Sequence, residues 1–209
     1  ATTPAAVQTD EQGWIVSLGD SFISGEAGRW AGNSDRSEYN VDAGGNDAYT
    51  DKLAQQYDPW GQKCDRSTAA LVHIGGGRKT INLACSGALT ATTGSRAKGN
   101  FKPGIDTVQT NDGRGQLATL KEFDKTHTID TVVLSIGGND FGFGNVIMSC
   151  IGAFMSWDGY CKDDPEVQAM FTPTKIKEKT TLIANAIIRL RQTLDSTGQT
   201  QAKIIVNTY

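Results

Sequence analysis

Apolar positions along the chain collect in short runs that end in polar, glycine-containing turns. Gly13-Trp14-Ile15-Val16-Ser17-Leu18 is mostly apolar and stops at Gly19-Asp20-Ser21, the pattern of a buried strand opening into a turn. Residues 79–85 alternate towards a second strand, followed by Ser86-Gly87. Ile129-Asp130-Thr131-Val132-Val133-Leu134-Ser135-Ile136 is β-branched and nearly continuous, as in a strand buried on both faces of a parallel sheet, and it ends at Gly137-Gly138-Asn139-Asp140. Residues 203–209 repeat the strand pattern.

Between these runs the period lengthens. Residues 47–57 put Tyr49, Leu53 and Tyr57 on one helical face, and residues 116–123 predict a short helix. Ile176, Thr180, Ile183, Ile187, Leu190 and Leu194 recur at helical spacing, so the longest helix is expected over 174–194, with its N-cap in Thr172-Pro173-Thr174 and Gly198 closing the turn after it. Residues 26–47 and 90–104 are polar loops, and 141–173, rich in Gly, aromatics and Cys, is an ordered insertion. Strands alternating with helices predict one α/β domain over residues 1–209 with a largely parallel sheet.

Composition narrows the setting. The chain is 38% hydrophobic, enough for a sizeable core, and its 20 Lys and Arg against 23 Asp and Glu leave a net charge of −3. No strong field favours nucleic acid, and no run reaches the ~18 to 20 apolar residues of a membrane span. The first residues carry no basic-then-apolar export signal, so any such signal would have been removed. Four cysteines allow three pairings, among which sequence alone does not choose; the sequential pairs Cys64–Cys85 and Cys150–Cys161 are favoured. Two disulfides imply a secreted, extracellular protein. There is no CxxC, no HExxH, no P-loop and no GxGxxG after a strand, so neither metal nor cofactor is called for.

In an open parallel sheet, reactive groups gather at the carboxyl ends of the strands. The turns carrying Gly19-Asp20-Ser21, Ser86-Gly87 and Gly137-Gly138-Asn139-Asp140 would meet there, and together they supply what acyl transfer needs: a hydroxyl nucleophile and N–H donors for a developing oxyanion. In this order the three blocks resemble the SGNH (GDSL) hydrolase family, over about residues 14–209, and most closely its secreted actinobacterial lipases and esterases, which carry disulfides near similar landmarks. The resemblance implies a three-layer α/β/α, flavodoxin-like sheet. It also implies Ser21 as nucleophile, with the Ser21 N–H, the Gly87 N–H and the Asn139 side-chain amide as the oxyanion hole. Asp20 and Asp140 would support their loops.

The family keeps its base in a late Asp-x-x-His block, which this chain lacks. His73 is expected on an apolar strand or edge, and His127 in a loop at the amino end of the third strand, on the wrong side for Ser21. The sheet is therefore expected to be incomplete, with the base on a segment beyond residue 209 that can dock as a second chain. The implied activity is hydrolysis of esters of lipids, acylated small molecules or glycans. The alternative is an inactive fragment or non-catalytic binding module, for which Trp30, Trp60, Trp157 and Tyr160 would offer aromatic contacts, although a packing role for them weighs more.

Overall fold

The computed structural model describes residues 12–26, 51–59, 64–156 and 159–208. Four strands form one parallel sheet: β1 (Trp14–Gly19), β2 (Thr80–Asn82), β5 (Ile129–Ser135) and β6 (Lys203–Val206), in the spatial order β2-β1-β5-β6. A separate antiparallel pair, β3 (Gln109–Thr110) and β4 (Gly113–Arg114), lies outside it. Six α-helices, α1 (Ser21–Ser24), α2 (Lys52–Tyr57), α3 (Gln116–Phe123), α4 (Phe143–Ser156), α5 (Pro165–Met170) and α6 (Pro173–Ser196), and a 3-10 turn at Cys161–Asp163 complete the described elements. The fold is α/β, and its strand order is that of flavodoxin-like sheets, which reverse direction between the first strand and the third.

Alternation along the strands sorts the core onto two faces. Val16 and Leu18 of β1 and Val132 and Leu134 of β5 are fully buried against Leu117, Leu120 and Phe123 of α3 and Ala186, Leu190 and Leu194 of α6. Ile15 and Val133 face the other way, against Ala70 and Val72. A fully buried Leu or Val contributes roughly 1.5–3 kcal/mol, so the first face carries most of the stabilisation. Behind β2, buried Arg66 donates to Asp58 at 2.8 Å and to the carbonyls of Leu83 and Ala84, pinning the chain as it leaves the strand.

Several elements differ in extent from the sequence pattern. The ladder between β1 and β2 continues past Asn82 through Leu83 N–H to the Ser17 carbonyl and Cys85 N–H to the Gly19 carbonyl, so 79–85 acts as one edge although only its centre is regular strand. The helix expected over 47–57 starts at Lys52, because the Asp51 side chain accepts from the N–H groups of Leu53 and Ala54 and caps it there; Tyr49 lies outside the described residues. The insertion at 141–173 contains α4 and α5, and Cys150, within α4, is bonded to Cys161. Cys64 is bonded to Cys85. Thr172 caps α6 by accepting from Lys175 N–H, with Pro173 at the first helical turn, where its missing N–H costs nothing. No helix among the described residues is long and apolar enough to cross a membrane.

Candidate active site

Both strands that flank the sheet's reversal point, β1 and β5, deliver a glycine-containing turn there. β1 ends at Gly19, whose φ is +136° and where a Cβ would fall 1.8 Å from the Ser135 carbonyl oxygen, so only glycine lets the two backbones approach. Asp20 N–H donates to that same carbonyl at 3.0 Å. Gln116, buried on α3, clamps Gly19 from the other side: its Oε1 accepts from Gly19 N–H at 2.8 Å and its Nε2 donates to the Gly19 carbonyl at 2.8 Å. The Gln116 amide here replaces a strand partner for the Gly19 N–H and shares the Gly19 carbonyl with Cys85 N–H. Asp20, only 1% exposed, accepts from Phe22 N–H at 3.2 Å and caps α1, which leaves Ser21 half-buried at the helix start.

Ser21 opens onto a cavity of about 290 Å³ lined by Asp20, Ser21, Phe22, Glu26, Gly138, Asn139 and Phe143. The expected residues Ser21, Asp20 and Asn139 thus meet in one place. Gly87 and Asp140 do not line the cavity. Gly87 has a φ of +77°, the left-handed turn that favours glycine, and its neighbour Ser86 donates its hydroxyl to the lining residue Glu26 at 2.6 Å. Asp140 accepts from Thr90, from the hydroxyl at 2.7 Å and from the N–H, and faces a second cavity with Met170 and Lys179. Asn139 Nδ2 donates to the Ala88 carbonyl at 2.9 Å, tying the Gly138-Asn139 turn to the Gly87 turn.

Among the described residues, no hydrogen-bonding partner engages the Ser21 hydroxyl, the Ser21 N–H or the Gly87 N–H. The arrangement therefore puts Ser21, with its unengaged hydroxyl and N–H, and the Asn139 amide on a water-accessible pocket flanked by the exposed rings of Phe22 and Phe143, with Gly87 outside its lining. Glu26 forms part of a carboxylate pair. Burial and the negative charge of Glu26 push the Asp65 carboxyl above its ordinary value, against the opposing pull of Lys102 and a hydrogen bond from Ser86.

No histidine reaches this pocket. His73 lies in the turn before β2 rather than on a strand, with Nδ1 2.9 Å from the Thr80 hydroxyl and Nε2 3.4 Å from Asp51. Thr80 pairs with Ile15, and at ~3.3 Å per residue roughly 13 Å of β1 separates Ile15 from Gly19. His127 stacks on Phe123 at 4.2 Å and packs edge-on to Trp14, at the amino end of β5. No group of three or more His, Cys, Asp or Glu among the described residues is arranged to hold a metal.

No family model matches the chain, and no curated protein does. It is similar to the extracellular lipase from Streptomyces rimosus. The structures align with a TM-score of 0.40 at 22% identity, over 93% of this chain and 58% of the lipase. The chain thus spans less than two thirds of that protein's length.

Phe22, Glu26, Phe143 and Gln116 join the residues expected from the sequence pattern. Gln116 carried a signal: a polar residue beginning the apolar face of a short helix, where a buried amide requires partners. Glu26 carried none, since its role comes from a hydrogen bond to Ser86 across 60 residues. Trp30, Trp60 and Trp157 lie outside the described residues. Tyr160 is 73% exposed, with the Lys162 ammonium 5.5 Å from its ring centre.

Proposed function

We propose that the chain carries the nucleophile and oxyanion hole of a secreted serine ester hydrolase of the SGNH type. The observation that supports this most is the unengaged hydroxyl and N–H of Ser21 beside the Asn139 amide at the sheet's reversal point. Ser21 Oγ attacks the ester carbonyl carbon as its proton passes to a base. The carbonyl oxygen, now an oxyanion, accepts from the N–H groups of Ser21 and Gly87 and from Asn139 Nδ2. Collapse expels the alcohol, which takes the proton from the base, and water then releases the acid from the acyl-serine by the same steps. Phe22 and Phe143 offer an apolar wall to the acyl group, which favours lipid or simple carboxylic esters over sugar acetates.

The base is a histidine from a segment outside this chain, docked against the sheet. In support, both histidines of the chain sit towards the amino ends of the strands. β6 also presents Ile205 and Val206 half-exposed at the sheet edge, where a further segment can pack. The same placement of the histidines favours a second reading, a binding module without turnover.

One experiment separates the readings. The purified protein is incubated with a fluorescent fluorophosphonate and a chromogenic short-chain ester, and its intact mass is measured. Labelling confined to Ser21, turnover, and a second mass retained with the chain are expected. One mass with neither label nor turnover would favour the binding module.

A further inference from the structure

The turns carrying Gly87 and Asn139 are held together by a network that ends on the long helix α6. Arg189, half-buried, donates through its guanidinium to the Thr90 carbonyl at 3.0 Å and to the Ile105 carbonyl at 3.2 Å. Thr90, 2% exposed, donates in turn to Asp140 from its hydroxyl at 2.7 Å and from its N–H at 3.1 Å. Asp140 is bonded in sequence to Asn139, whose Nδ2 closes the circuit on Ala88, two residues before Thr90. The loops leaving β2 and β5 are therefore laced at two points, and the cationic side chain of Arg189 fixes the first loop to the core helix.

Thr90 accepts from Arg189 at its carbonyl and donates to the carboxylate at two other atoms. Hydrogen bonds with one ionised partner are shorter and about twice as strong as neutral ones, and chained bonds reinforce one another. None of Arg189, Thr90 and Asp140 lines the Ser21 cavity. Their influence on chemistry there must pass through the position of the Asn139 amide and the Gly87 N–H. An oxyanion donor must hold its place to within about 0.5 Å to be useful.

We infer that Thr90 and Arg189 are positioning residues for the oxyanion hole, setting the distance between the Asn139 amide and the Gly87 N–H through Asp140. The inference rests on the ester hydrolase reading above for its catalytic consequence, while the positioning itself is independent of turnover. In Thr90→Val the side chain keeps its volume and loses its donor, and in Arg189→Met the guanidinium is lost while the stem remains. Arg191, on the same helix, donates to the Ala202 and Gln199 carbonyls away from the site, so Arg191→Met controls for the mere loss of a helix arginine that binds loop carbonyls.

The test combines ester kinetics with NMR of the Asn139 side-chain amide in the purified protein. In Thr90→Val and Arg189→Met, kcat should fall about ten- to a hundred-fold with KM within twofold of the parent. Thr90→Ser should restore kcat, and Arg191→Met should leave it unchanged. Solvent exchange of the Asn139 amide protons should rise about tenfold in Thr90→Val and stay at the parent rate in Thr90→Ser. An unchanged exchange rate in Thr90→Val overturns the positioning inference, whether or not the protein hydrolyses esters. So does an unchanged kcat in Thr90→Val while Asn139→Ala is crippled. If Ser21→Ala leaves turnover intact, the hydrolase reading fails instead, and the exchange experiment alone decides the positioning.

Discussion

At the carboxyl end of the sheet Ser21, Asn139 and Glu26 face a cavity of about 290 Å³, whereas at the amino end His127 lies flat against Phe123, with ring centres 4.2 Å apart. The first end spends polar groups on an open pocket, held in place by bonds made behind it: Gln116 to Gly19, Thr90 to Asp140, Asn139 to Ala88. The second end spends them on packing, with His127 among Trp14, Tyr57 and Phe123, and His73 between Thr80 and Asp51. Residue type therefore does not assign a role here; position along a parallel strand does. Histidine is the commonest general base, yet both histidines of this chain lie away from the Ser21 cavity, His73 beside Thr80 and Asp51 and His127 against Phe123.

The widest gap between the two ends should appear in rate. If Ser21 is the nucleophile we propose, Ser21→Ala should remove fluorophosphonate labelling altogether and lower turnover by about 10⁵-fold or more. Asn139→Ala should cost about 10² to 10³ in kcat, the usual loss of one oxyanion donor, with the thermal midpoint nearly unmoved. A parent-like rate in Asn139→Ala would remove that residue from the oxyanion hole.

Gln116 probes what lies behind the pocket. In Gln116→Leu the buried Gly19 N–H loses its acceptor and the Pro103 carbonyl loses a donor, so unfolding in denaturant should show a loss of about 1–3 kcal/mol for each group left unpaired. An unchanged denaturant midpoint would mean that Gly19 finds its partners elsewhere.

At the opposite end, His127→Ala should cost about 0.5–1.5 kcal/mol through its lost ring contacts. His73→Ala should also lower stability, by releasing Asp51 and Thr80. In neither variant should the rate of Ser21 labelling change by more than about twofold, because neither ring reaches the pocket. A large loss of labelling in one of them would identify an in-chain base and overturn the division between the two ends.

Much of this division was legible in the sequence, and the exceptions have physical causes. The strand at Ile129–Ser135 and the helices at Gln116–Phe123 and Pro173–Ser196 stood out because their apolar positions are continuous or recur at helical spacing, although in the long helix only Ala186, Leu190, Thr193 and Leu194 are buried and Ile176 is exposed. The three glycine-containing turns were readable for the same reason, being the sharp ends of such runs. Helix α4 was not: Phe143–Ser156 has no charged residue, and none of its residues is buried. Phe154 and Met155 are 79% and 74% exposed, so the ordinary signal of one buried face does not exist there. The lacing of the site was hidden too, since Arg189 meets Thr90 across 99 residues and Gln116 meets Gly19 across 97.

Acidity offers the finest discrimination, because two carboxyls beside β2 are shifted in opposite directions. Burial alone would raise Asp51, but hydrogen bonds from His73 and from the N–H groups of Ala54 and Asn82, with the charge of His73, outweigh it and hold the carboxyl below its ordinary value. Its contribution to stability is therefore present above the unfolded pKa of about 3.9 and is lost as pH falls through the lower folded value. Asp65, beside the Ser86-Gly87 turn, is raised by burial and by Glu26, so its contribution is complete below about pH 3.9 and is lost as pH rises through the higher folded value. Asp51→Asn should flatten the loss of stability on acidification below about pH 4. Asp65→Asn should leave that limb alone and remove a gain in stability seen on acidification towards pH 4. Denaturant midpoints of the parent and both variants, measured from pH 3 to pH 7, check the pair. If Asp65→Asn steepened or flattened only the most acid limb, burial and Glu26 would not be raising the Asp65 carboxyl beside the Ser86-Gly87 turn, and the carboxyl end would be no more polar in its demands than the amino end.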